Sequence, residues 1–219
     1  MLLLHFCLFG IAVNNIPGVK TIPKIHHTIE NNIIADVVVP IPDSGVSAAI
    51  GFSQKSKIPF ELGIIRSHYV GRTFIEPSQT IRQFGVKLKH SVNRSCIENK
   101  KVILIDDSIV RGTTANKIVK MVYEAGAKEV HLGISCPPIL HPDFYGIDTP
   151  NYNQLIASKS SLKEMTKLVG AKSLFFLSLN GTYKAMGCEN RNSETPQFTD
   201  HCFTGEYPID VTEILKLNR

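Results

Sequence analysis

Several familiar signatures are missing from these 219 residues. No two cysteines are spaced CxxC, and the five present, Cys7, Cys96, Cys136, Cys188 and Cys202, are odd in number. Neither a disulfide framework nor a zinc knuckle is indicated, and reduced thiols in the cytoplasm are expected. No apolar run reaches the roughly 20 residues that a membrane-spanning helix needs. The opening MLLLHFCLFGIAV contains His5 and has no basic stretch before it, so it reads as a buried or displaced strand rather than a targeting segment. A basic block and the aromatic pattern of an RNA binder are also absent. The net charge of +5 is spread along the chain, which suits phosphorylated small molecules and leaves nucleic acid and membrane off the expected partners. GxxxxGK[ST] and GxGxxG do not occur, so a nucleoside triphosphatase or a dinucleotide dehydrogenase has no support.

What is present describes a folded α/β chain. With 43% hydrophobic and 20% charged residues it is too apolar for disorder and long enough to bury a core. ADVVVPIP (35–42) and KKVILIDD (100–107) are short β-branched runs, the pattern of strands covered on both faces. SGVSAAIGFSQKSK (44–57) predicts a helix entered from the turn PDSG, FELGII (60–65) a further strand, and TTANKIVKMVYEAGA a helix ending at Gly126. KEVHLGIS and SLFFLSL add strands, and Ser161 with Glu164 spells a capping box. Such alternation predicts an open, mainly parallel sheet with flanking helices and right-handed crossovers.

Three divisions follow: a poorly defined 1–35, a main domain over 36–180, and a tail over 181–219 of irregular segments with a short helix at VTEILKL. Residues 66–95 are long, polar and glycine-spaced between buried strands, which suits a functional lid over about 66–90. An ordinary surface loop with a short helix near 78–84 is the alternative.

The chemistry concentrates in VILIDDSIVRGTT (102–114). Vicinal Asp106 and Asp107 stand at the carboxyl end of a buried strand, where open α/β sheets place ligands. Unless they are merely solvated strand-end acids, ribose hydroxyls and a hydrated divalent ion would suit them. Gly112 permits an unusual turn, after which the N–H groups and hydroxyls of Thr113 and Thr114 converge at a helix start, a cradle for a monophosphate. Acids before and cradle after describe a ribose 5-phosphate gripped at both ends.

VILIDDSIVRGTT resembles the thirteen-residue motif of the type I phosphoribosyltransferases. Together with VVVPIPDSG (37–45), YVGRTFIEPSQ (69–79), SCPPILHPDFYGID (135–148) and CFTGEYP (202–208), it resembles the amidophosphoribosyltransferase family over roughly residues 35–210. The resemblance implies a type I phosphoribosyltransferase fold and a pentosyl transfer from 5-phosphoribosyl 1-diphosphate in purine synthesis, with magnesium as cofactor. It implies a diphosphate loop at Asp43, Ser44 and Gly45, with Ser44 near the magnesium. Asp106, Asp107 and the following Ser108 fall in the part that holds the ribose hydroxyls and the metal, and Arg111, Gly112, Thr113 and Thr114 in the 5-phosphate loop. Tyr69, Arg72 and Thr73, with Gly71, fall in the flexible loop that folds over the substrate and are the expected catalytic group.

The departures are equally specific. Family members carry an N-terminal glutaminase domain with a nucleophilic cysteine as its first residue, which 35 residues cannot hold. The expectation is a chain with the transferase part alone, using ammonia or a separate glutaminase, and the helix that usually precedes ADVVVP is missing too. Arg66-Ser67-His68-Tyr69 stands where members read Lys-Asn-Arg-Tyr, which weakens the expected contacts to the leaving group. Some members bind an iron–sulfur cluster, but Asp143 and Thr199 occupy two of the cysteine places, so no cluster is expected here. Purine nucleotides as inhibitors and a homo-oligomer are further implied partners. The alternatives are an inactive remnant or nucleotide-binding module, and a base phosphoribosyltransferase.

Overall fold

The computed structural model describes residues 33–67, 90–145, 149 and 151–211. Four strands, β1 (Val37–Pro40), β4 (Lys101–Asp106), β5 (Glu129–Ile134) and β6 (Ser173–Phe176), form one parallel sheet in the order β1-β4-β5-β6. Val37 pairs with Val102 and Ile105 with Gly133, so the apolar runs lie side by side. Both faces are buried, which explains why these strands read as continuous rather than alternating hydrophobic stretches. Val37, Val39, Val102 and Leu104 enter the larger core cluster, whereas Val38, Ile103 and Ile105 enter a smaller one on the opposite face.

The smaller face is covered by α1 (Val46–Ser56) through Ala48, Ala49 and Phe52, whose ring stacks on Phe175 with centroids 6.3 Å apart. The larger face is covered by α3 (Thr113–Glu124) and α5 (Leu162–Val169), through Ile118, Val119, Val122, Met165 and Val169. The capping box of α5 is present: Ser161 Oγ accepts from the Glu164 N–H, and Glu164 Oε2 accepts from the Ser161 N–H at 2.8 Å.

FELGII does not enter the parallel sheet as a whole strand. Pro59 to Glu61 make one bridge to β1, Val38 N–H donating to Pro59 O at 2.8 Å and Glu61 N–H to Val38 O at 3.0 Å. The chain then turns into β2 (Ile64–Arg66), which pairs antiparallel with β3 (His90–Val92) and sets Arg66 opposite His90. Of its apolar residues Ile64 is buried, but Leu62 and Ile65 are more than half exposed, so the run lacks the two buried faces of a central strand. A one-turn helix α2 (Arg94–Ile97) leads from this ribbon to β4.

After β5 the proline-rich segment is irregular, as its composition requires. It is followed by a 3₁₀ turn (Tyr152–Gln154), the short α4 (Ile156–Lys159) and α5. Residues 181–219, expected as a tail of irregular segments with a short helix, take in most of α6 (Leu179–Ala185) and all of α7 (His201–Thr204), and Tyr183, Cys202 and Phe203 belong to the larger core cluster. Burying an aromatic pair and a thiol there makes 179–204 part of the same core. The apolar amino-terminal run, most of the expected lid with Tyr69, Arg72 and Thr73, and all but the first residue of VTEILKL lie outside the described residues.

Candidate functional site

The cleft opens at the carboxyl ends of β1 and β4, the position at which an open parallel sheet leaves backbone groups and helix starts facing outward. It has a volume of about 350 Å³. Its walls include Pro42, Ser44, Arg66, His90, Asp106, Asp107 and the loop 108–114.

The floor is the end of β4. Asp106 is 8% exposed, and its Oδ1 accepts from the Asp107 N–H at 2.9 Å. Asp107 is half-buried, with its Oδ1 accepting from the Ser108 N–H at 2.7 Å. Burial, and then the neighbouring Asp107 carboxylate, push the Asp106 carboxyl well above the usual range. A carboxyl whose ionisation is opposed in this way, beside a second carboxyl, forms a site that a cation would relieve. Their hard oxygen donors, with the Ser44 hydroxyl on the opposite wall, fit magnesium.

The 42–45 turn closes one side. Ile41 N–H donates to Ile105 O and Gly45 N–H to Ile41 O, at 2.8 and 3.0 Å, and the Pro42–Asp43 peptide is cis. Gly45 lies so close to the end of β4 that a Cβ would press into the Ile105 carbonyl and stand 2.8 Å from Ile41 O. Its part is backbone fit beneath the loop. Ser44 faces the cleft, while Asp43 pairs with Arg66 Nη1 at 2.8 Å and so ties the turn to the β2–β3 ribbon.

The other side is the phosphate-type loop. Gly112 adopts φ +75°, the conformation that starts α3 without a side-chain cap. The N–H groups of the first helical turn, as at any helix start, have no intrahelical acceptor, and Gly112, Thr113 and Thr114 line the cleft. Arg111 is exposed, and its Nε donates to Gln154 Oε1 at 2.8 Å.

The structure thus brings together Ser44, Asp106, Asp107, Ser108, Arg111, Gly112, Thr113 and Thr114, and sets Asp43 and Gly45 in supporting places. Sequence reasoning missed His90 and Gln154, which come from segments with no motif of their own. Arg66 stood out only as a departure from the family, and its place opposite His90 follows from the ribbon's register.

A second group of ligating side chains lies away from the cleft. Asp143, His201 and Cys202 are buried with their ligand atoms within 4.8 Å of one another. His201 Nε2 donates to Asp143 Oδ2 at 2.7 Å, and the Cys202 thiol lies 3.9 Å from the same oxygen. Burial, and then the Asp143 carboxylate, push that thiol up to about 12. Nitrogen and sulfur donors of this kind do not match the oxygen preference of magnesium. Asp143, which the sequence marks as a lost cysteine place, is here the acceptor that joins the 137–145 segment to α7.

Comparison with known proteins agrees with this geometry. Residues 20–142 match the phosphoribosyl transferase domain family, beginning inside the stretch expected to be poorly defined. The chain is 62% identical over 185 residues to an amidophosphoribosyltransferase of Rhizobium etli, and 51% identical over 182 residues to one of Bacillus subtilis. These alignments cover 84% and 83% of the chain but only 37% and 38% of those relatives. The structure of the B. subtilis glutamine phosphoribosylpyrophosphate amidotransferase complexed with ADP and GMP superposes with a TM-score of 0.73 at 50% identity. That match covers 84% of this chain and 40% of the other. A structure described as the allosteric regulatory enzyme of purine biosynthesis gives 0.75 at 49% identity, covering 87% of this chain and 41% of that one. The chain therefore spans little more than a third of the length of the relatives it matches. Among the described residues no helix is long and apolar enough to cross a membrane.

Proposed function

The chain belongs to the phosphoribosyl transferase domain family, and from that membership we propose that it transfers the 5-phosphoribosyl group of 5-phosphoribosyl 1-diphosphate to ammonia, as the transferase part of an amidophosphoribosyltransferase in purine biosynthesis. The observation that carries this reading is the convergence on one cleft of vicinal carboxyls, a tight turn and a glycine-led helix start. In this reading Asp106 and Asp107 hold the ribose hydroxyls, the 42–45 turn meets the diphosphate, and Arg111 to Thr114 meet the 5-phosphate.

The reaction breaks the C1–O bond to diphosphate and forms a C1–N bond, and a proton then leaves the new ammonium. Positive charge develops at C1 as the leaving group departs, so the residues' task is to fix the ribose at both ends and to keep water from that carbon. Magnesium, held by Asp106, Asp107 and Ser44, supplies neutralisation of the departing diphosphate when bound. Tyr69, Arg72 and Thr73 belong to this reading as the group that closes over the substrate. The described cysteines are not in disulfides, which supports a reducing, cytoplasmic setting. A homo-oligomer or a separate glutaminase is the protein partner it calls for.

A nucleotide-binding role for the same cleft is the second reading, favoured by the ADP and GMP in the related B. subtilis complex. Diphosphate release from 5-phosphoribosyl 1-diphosphate, followed with magnesium and ammonium at alkaline pH, separates the two. Ammonia-dependent release is expected, and binding of the substrate without any release would favour the nucleotide-binding module.

A further inference from the structure

Arg111 is exposed, like Thr113 and Thr114 of the same loop, yet its guanidinium is held from outside that loop. Gln154 accepts from its Nε at 2.8 Å. Gln154 itself sits on a built support. The 3₁₀ turn that carries it is closed by its N–H donating to Asn151 O at 2.9 Å, and two residues later Ile156 N–H donates to Val110 O at 2.9 Å. At the start of that turn the Tyr152 hydroxyl lies 2.9 Å from His141 Nδ1, the rings meeting edge to face at 5.7 Å. His141 and Leu140 in turn donate their N–H groups to Cys202 O, at 3.0 and 2.8 Å, and Asp143 takes the buried bond from His201. A continuous path of bonded groups runs from α7 to the guanidinium.

We propose that Gln154 is a positioning residue for the 5-phosphate, holding Arg111 so that its remaining N–H donors face the loop of Gly112 to Thr114. The inference rests on the phosphoribosyl reading given above. Its physical basis is conformational freedom: an arginine carries many rotamers, and those it must give up when a phosphate arrives count against binding. An acceptor fixed on Nε removes much of that freedom beforehand and leaves the four Nη hydrogens for the anion. Gln154 is neutral, so it orients the cation without competing for its charge as a carboxylate would.

The test is calorimetric titration of wild type, Gln154→Leu and Gln154→Glu with two probes, ribose 5-phosphate and magnesium diphosphate. Gln154 is exposed, so both variants are expected to melt as wild type does. Gln154→Leu should weaken ribose 5-phosphate by about fivefold to tenfold, the scale of one ordinary hydrogen bond at an exposed site. It should leave magnesium diphosphate unchanged, and in turnover raise KM with little change in kcat. Gln154→Glu keeps an acceptor but adds the competing charge, so it should weaken ribose 5-phosphate at least as much as Gln154→Leu, and a recovery to wild-type affinity would contradict the role given to a neutral acceptor. Equal ribose 5-phosphate binding by Gln154→Leu and wild type would overturn the positioning role, as would an equal loss for both probes. Failure of wild type to bind ribose 5-phosphate at all would instead overturn the phosphoribosyl reading, and this inference with it.

Discussion

The loop after β4, which lines the cleft, and the carboxyl-terminal segment, which lies away from it, are ordered by opposite routes. In the first, the groups that face a ligand are neighbours in the chain: Asp107 N–H bonds Asp106 Oδ1, Ser108 N–H bonds Asp107 Oδ1, and four residues later Gly112 opens a helix. In the second, the bonds join residues far apart, 58 positions between Asp143 and His201 and 17 between Tyr183 and Asp200. The first region lines the cleft and holds Asp106 with its ionisation opposed by burial and by the neighbouring Asp107. The second is braced by paired side chains, Asp143 with His201 and Arg191 with Asp200. The difference teaches that the cleft ends in a carboxyl whose ionisation the fold opposes, whereas the segment away from it is braced by paired charges.

Removing a brace should have the largest effect. Asp200 is buried, bonds Arg191 Nε at 2.5 Å and accepts from the Tyr183 hydroxyl at 2.8 Å; Arg191 reaches on to Glu206. Burial works to raise the Asp200 carboxyl, but Arg191 and Tyr183 outweigh it and hold it below the usual range. Burial, and then the bond to Asp200, push Tyr183 up to about 12. Asp200→Ala leaves Arg191 with Glu206 alone and takes the carboxylate from the Tyr183 hydroxyl, and should cost about 3 kcal/mol in urea unfolding. A loss within error of zero would mean that the segment is not braced in this way.

Removing the opposed carboxyl should act in the other direction. The folded protein holds the Asp106 proton more tightly than the unfolded chain does, so stability falls as pH rises from about 3.8 through the folded value. Asp106→Asn abolishes that fall and should raise the melting temperature at pH 7 above wild type while losing magnesium-dependent binding. Thermal melts between pH 4 and 8 check it, and parallel curves for the two proteins would contradict the repulsion. The smallest effect belongs to a feature of neither region. Ser161→Ala removes a helix cap and should cost about 1 kcal/mol, with ligand affinity untouched in the same titrations.

The same contrast explains what was legible in the sequence. VVVP and VILID announce buried parallel strands because both their faces are apolar, and RGTT announces a helix start because glycine precedes two hydroxyls. Ser161 and Glu164 form a cap whose two halves lie three residues apart. FELGII misled because hydrophobicity in a short run does not reveal which side chains will be covered, and Leu62 and Ile65 are not. His90, Gln154 and His201 carried no signal: each is an ordinary polar residue until the fold supplies Arg66, Arg111 or Asp143 opposite it. The segment from 181 onward looked irregular because its order comes from buried pairs such as Arg191 with Asp200, not from a period.

The claim on which the rest depends is that Asp106 and Asp107 act as charged ligands. Isothermal titration of 5-phosphoribosyl 1-diphosphate into wild type and into the double variant Asp106→Asn/Asp107→Asn, each with and without magnesium, measures it directly. Wild type should bind only with magnesium present, and the double variant should lose at least ~1.5 kcal/mol of that binding. Equal, magnesium-independent binding by both proteins would contradict the account.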